Sequence, residues 1–96
     1  MLILVSYDVS TTSSAGRKRL RRTAKACEDF GLRVQNSVFE CNVDPARWEV
    51  LKTRLMGIVN KDQDSLRFYF LGSNWERKVE HHGAKKPPDL GELIIV

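Results

Sequence analysis

Long apolar runs are missing from this chain of 96 residues; its hydrophobic positions come in short bursts such as "LILV" at 2–5. A membrane-spanning helix takes about 20 such residues, so no membrane partner is expected. Met1 runs straight into "LILV" without the basic flank and small-residue cleavage site of a secretory signal, and a cytoplasmic location is expected. Cysteine is scarce too. Cys27 and Cys41 fall in different predicted elements with no metal-ligand spacing, which excludes a disulfide framework and leaves them as small core residues of a reducing compartment. Repeats and low-complexity tracts are absent. What remains, 42% hydrophobic and 29% charged, is ordinary for one soluble domain, taken as 1–96. A chain this short buries only roughly two thirds of its unfolded surface, so association with a second copy is expected to help it.

Acidic residues are also missing where cations crowd. Between Asp8 and Glu28 the chain carries no carboxylate, while Arg17, Lys18, Arg19, Arg21, Arg22 and Lys25 put six of its sixteen cations into nine residues. The formal charge is +4 with a sequence pI near 9.3, which favours an anionic partner.

Leu2 to Val9 reads as a buried strand, followed by a polar loop with Ser13 and Ser14 as candidate N-caps. From Arg17 the positions Leu20, Ala24, Cys27 and Phe30 give one helical face, with Gly31 as the expected C-cap. "LRVQNSVFECNV" alternates, but its phase slips near Asn36 and Ser37, which predicts a bulge or a split into two strands. Asp44-Pro45 marks the start of a second helix, with Trp48, Leu51, Leu55 and Ile58 as its buried stripe. "SLRFYFLG" (65–72) is the next strand, with Leu66, Phe68 and Phe70 on one face. Residues 1–72 form the core, 73–91 read as a linker, and the terminal "LIIV" region, 92–96, is expected to pair with a sheet edge, including that of a second copy. The order is βαββαβ: an α+β ferredoxin-like sandwich with an additional C-terminal strand.

The first strand ends in Tyr7-Asp8, and an ionised group there needs a partner or a metal. Arg17 and Arg19 flank the apolar stripe of the first helix in what the sequence suggests is its first turn, facing the end of that strand. Cations at a helix N-terminus oppose its dipole and suggest an anion between them, for which a phosphodiester is suitable. Lys18, Arg22 and Lys25 point outward. The alternative is a solvated cationic face with Asp8 as a cap or as the ion-pair partner of Arg17. Tyr7 and Phe39 read first as packing residues, Ser37 as a strand-break residue, and His81-His82 as solvent-exposed. Asp62, Asp64, Glu76, Glu80, Asp89 and Glu92 show no spacing that assigns them a role. One carboxylate is a poor Mg²⁺ site, but across a two-fold axis two Asp8 side chains can share an ion.

"VSYDV", "RKRL" and above all "RVQNSVFEC", continuing through "DSLRFYFLG", resemble the CRISPR-associated protein-two family, the small adaptation protein also described as an endoribonuclease. The resemblance covers nearly the whole chain. It implies a ferredoxin-like homodimer in which paired Asp8 groups face Mg²⁺, and a metal-dependent phosphodiester hydrolysis of RNA, DNA or both. It also implies that Tyr7, Arg17, Arg19, Arg33, Ser37 and Phe39 stand where the family has residues linked to activity or nucleic-acid contact, and that the protein joins two dimers of the CRISPR integrase. Two other functions remain open at this point: a structural DNA-binding subunit with a dispensable Asp8 pair, and a toxin-type ribonuclease of the same architecture.

Overall fold

The computed structural model describes residues 1–83. Four strands and two helices follow in the order β1 (Leu2–Asp8), α1 (Ser14–Glu28), β2 (Leu32–Gln35), β3 (Val38–Asn42), α2 (Pro45–Ile58) and β4 (Ser65–Gly72), with one 3₁₀ turn at Trp75–Arg77. The proposed strand at 92–96 and the distal part of the linker lie outside the described residues. The fold is α+β: one antiparallel sheet in the order β2-β3-β1-β4, each neighbouring pair antiparallel.

Alternation along β1 divides the sheet into two faces, because successive strand residues point to opposite sides. Ile3, Val5 and Tyr7 are buried, and Val9 just beyond the strand continues the same parity. They join Phe39 and Cys41 from β3 and Trp48, Leu51, Leu55 and Ile58 from α2 in one core. Each large apolar side chain buried this way contributes about 1.5–3 kcal/mol. Leu2, Leu4, Ser6 and Asp8 have the other parity and stand on the face away from the helices, which is open toward Asp8, while Leu2 at the opposite end of the strand is fully buried. Leu4 is flanked there by Glu40 and Tyr69, and Ser6 by Val38 and Arg67.

The phase slip is a turn at Asn36-Ser37 between β2 and β3, with a register shift between Arg33 and Gln35. Asp44 caps α2, its Oδ1 accepting the Arg47 N–H at 2.8 Å, and Pro45 stands at the first helical position as expected.

Three expectations for α1 are corrected. The helix starts at Ser14, three residues before Arg17, because Ser13 is the cap whose Oγ accepts the Gly16 N–H at 3.0 Å. Arg17 therefore closes the first turn, and Arg19 lies in the second. The stripe against the core also shifts, to Gly16, Thr23, Ala26 and Cys27, with Leu20, Ala24 and Phe30 only partly buried. Small residues let the helix lie close to its neighbours, and the larger ones go to the rim, where the Arg47 guanidinium covers Phe30 at 5.1 Å. Gly31 is likewise not the cap, which is Asp29. A Cβ on Gly31 would lie 2.4 Å from the Glu40 carbonyl oxygen, so glycine is required there for close passage under β3.

Candidate functional site

Asp8 ends β1 on the uncovered face, exposed and in register with Ser65 at the start of β4. The ion pairs among the described residues do not include it. In particular, Arg17 does not pair with it: the Arg17 Nη1 donates to the Thr11 carbonyl oxygen at 3.2 Å, within the loop that joins β1 to α1.

That loop is held by a residue the sequence left without a role. The Asp64 side chain has no solvent exposure, and it accepts four N–H groups. Its Oδ1 takes the Ser10 backbone N–H at 3.0 Å and an Arg19 Nη2 at 3.2 Å. Its Oδ2 takes the Arg19 Nε and the Asn60 backbone N–H, both at 2.8 Å. Arg19 thus grips Asp64 through two nitrogens, the geometry that makes arginine–carboxylate pairs strong. The arginine, ahead of the backbone donors, pulls the Asp64 carboxyl down to about 2. Arg19 stays near the strand end, as the sequence suggested, but its Nε and Nη2 are occupied. It positions the loop after Asp8. Gly16 completes the closure: a Cβ there would fall 2.0 Å from the Ser10 carbonyl oxygen. Nothing in "NKDQD" announces this role: the Asn60 bond is local, but the bonds to Arg19 and Ser10 that brace the loop span 45 and 54 residues.

Tyr7, Phe39, Arg33 and Ser37 form a second group, on the other face from Asp8. Tyr7 stacks on Phe39 with ring centroids 6.2 Å apart, and the Arg33 guanidinium lies 5.1 Å over the Phe39 ring. Arg33 also meets Glu28 at 3.3 Å, and the Tyr7 N–H donates to the Ser37 carbonyl oxygen at 3.1 Å. Burial raises the Tyr7 pKa first, Cys27 and Glu28 add to it, and Arg33 and Ser37 oppose it. Burial pushes both thiols to about 12, which leaves them inert as nucleophiles.

Lys18 and Arg22 are exposed on α1, and neither takes part in an ion pair among the described residues. His81 and His82 are exposed, His82 next to Glu80 at 3.2 Å. No group of three or more metal-ligating side chains occurs among the described residues, and no helix there is long and apolar enough to cross a membrane. On the uncovered face, burial raises the Glu40 pKa and the nearby His81 opposes it.

The family model described as "CRISPR associated protein Cas2" matches residues 1–79, which include every residue of both groups. The chain belongs to the Cas2 family. A Cas2 from Chlorobaculum tepidum, named a CRISPR-associated endoribonuclease, is 62% identical over 96 residues, covering 99% of this chain and 100% of its own. One from Halalkalibacterium halodurans, named a CRISPR-associated endonuclease, is 53% identical over 95 residues with 99% of each chain covered. The crystal structure of Streptococcus pyogenes Cas2 at pH 6.5 superposes with a TM-score of 0.75 at 58% identity, covering 86% of this chain and 100% of that one.

Proposed function

We propose that this member of the Cas2 family is a CRISPR adaptation protein and a Mg²⁺-dependent endonuclease that hydrolyses phosphodiesters as a homodimer, with one ion held between two Asp8 carboxylates. The observation that carries the reading is the place of Asp8: exposed on the uncovered sheet face, outside the ion pairs of the described residues, at the end of a strand locked by the Asp64 network. The donor set fits the ion only as a half-site, since Mg²⁺ takes six oxygens and is usually bound by one or two carboxylates with waters and substrate phosphate. A second copy related by a two-fold axis supplies the other carboxylate, and without a cation the two would repel.

The uncovered face supports a dimer of this kind. Leu4 and Val38 are only half-buried there, and Tyr69 is 40% exposed. Two sheets pack face to face at about 10 Å, and the sheet order β2-β3-β1-β4 supports the ferredoxin-like topology expected from the sequence.

Held there by Asp8, a divalent ion would supply Lewis acidity that makes water a better nucleophile near neutral pH and polarises the phosphoryl oxygen. Arg17, exposed beside the same loop, orients the phosphate and offsets charge that develops on it. Arg19 acts through Asp64 and keeps that loop in place. Tyr7, Phe39, Arg33 and Ser37 act through packing beneath the strand. Lys18 and Arg22 follow a nucleic-acid backbone, a contact that carries little base information and weakens steeply with salt.

The unpaired Lys18 and Arg22 on the outside of α1 also support a second reading, in which the protein is a DNA-binding adaptor between two integrase dimers and cutting is dispensable. The test is a cleavage assay on matched RNA and duplex DNA with and without Mg²⁺, using Asp8→Asn beside the wild type. Loss of metal-stimulated cleavage with retained nucleic-acid binding supports the nuclease. Equal cutting by both proteins refutes it.

A further inference from the structure

Between α1 and α2, on the side of the helices away from the sheet, lies a cleft of about 420 Å³ lined by Arg21, Arg22, Lys25, Arg54, Gly57 and Ile58. Four cations on two helices converge on it. Asp29 lies at hydrogen-bond distance from two of them, 3.0 Å from the Lys25 Nζ and 2.8 Å from the Arg54 Nη1, tying the helices together. Arg21 and Arg22 take part in no ion pair among the described residues. Like charges gathered in a concavity repel one another unless an anion joins them.

Gly57 is the second observation. It lies in the last turn of α2, where glycine is about 1 kcal/mol worse than alanine, yet a Cβ built on it meets no atom within 4 Å. Packing within the chain gives no reason for a glycine. The space its side chain would fill belongs to the cleft.

We propose that this cleft binds a compact polyphosphate, of the class of inorganic tripolyphosphate or the phosphate tail of a nucleoside triphosphate, at a site separate from Asp8. A recess of this volume is of the size of small-ligand pockets. The cations surround it from both helices, as suits adjacent phosphates on a small ligand, and Arg22 is the one of them that also serves the nucleic-acid contact proposed above. Arginine is the side chain whose planar fork matches phosphate oxygens. The proposal needs no divalent ion and stands whether or not Asp8 supports cleavage.

Calorimetric titration of the full chain with inorganic tripolyphosphate and with ATP, in EDTA and at about 50 mM salt where screening is modest, tests it. The expected result is saturable binding of one ligand per chain. Gly57→Glu, which points a carboxylate into the cleft without a steric clash, lowers the affinity by at least about tenfold with no fall in the thermal midpoint. Gly57→Ala raises the midpoint, which shows that the position tolerates a side chain. Arg54→Gln weakens binding less than Gly57→Glu does. Absence of tripolyphosphate binding, or equal binding by wild type and Gly57→Glu, overturns the proposal. So does a cleft that responds only to duplex DNA.

Discussion

The two faces of the sheet in this Cas2 family member carry adjacent residues of one strand to opposite fates. On the covered face, Tyr7 stacks on a fully buried Phe39 beneath Arg33; on the uncovered face, Asp8 stands exposed. Under the proposed function, loss of activity on mutating Tyr7, Phe39 or Arg33 would follow from a disturbed strand, whereas loss on mutating Asp8 would be a loss of chemistry. Stability measurements separate the two.

The largest effect belongs to the covered face. Phe39→Ala removes a fully buried ring and is expected to cost about 3–5 kcal/mol in denaturant unfolding; a cost below about 1 kcal/mol would break the contrast between the faces. Next comes the strut at the strand end. Asp64→Ala leaves Arg19 and two backbone N–H groups without their acceptor and should cost about 3 kcal/mol. Its pH signature has a definite sign. The folded carboxyl is held at about 2, below its ordinary 3.8, so its stabilisation is complete above that ordinary value and is lost as pH falls toward about 2. Acid titration of stability should show this loss in the wild type and a shallower slope in Asp64→Asn.

A smaller effect on the fold, but a decisive one on assembly, is expected on the other face. Tyr69→Glu places a charge on the uncovered face, and the sedimenting mass should fall from two chains to one while the unfolding midpoint of the remaining chain barely moves. A two-chain mass kept by Tyr69→Glu would assign the proposed dimer to another surface, and a one-chain mass for the wild type would refute it. The smallest effect on stability is that of Asp8→Asn, within about 0.5 kcal/mol of wild type, as for other exposed sites away from a packed or paired group.

The contrast itself is not legible in "LILVSYDV", a nearly continuous apolar run that reads as a buried strand; only the sheet shows that one of its faces lies under the helices and the other does not. The slip in "LRVQNSVFECNV", by comparison, marks the turn at Asn36-Ser37 in advance. The N-cap and buried stripe of α2 follow from Asp44-Pro45 and the spacing of Trp48, Leu51, Leu55 and Ile58. Part of the α1 stripe is missed because Gly16 and Thr23 are not apolar and yet are buried, Gly16 against the Ser10 carbonyl. Asp64 is missed for a different reason. Its bond to the Asn60 N–H is local, but those that make it a strut reach Ser10 and Arg19, and only the fold brings these two to it. The same limit applied to Arg19, whose place near the strand end was readable and whose partner was not.

The central claim is that Asp8 is half of a symmetric cation site. Titrating the protein with Mn²⁺, as a spectroscopic substitute for Mg²⁺, and counting tight ions by electron paramagnetic resonance tests it most directly. One ion for every two chains, abolished by Asp8→Asn with the unfolding midpoint unchanged, is the predicted result. One tight ion per chain, or undiminished binding by Asp8→Asn, would contradict it.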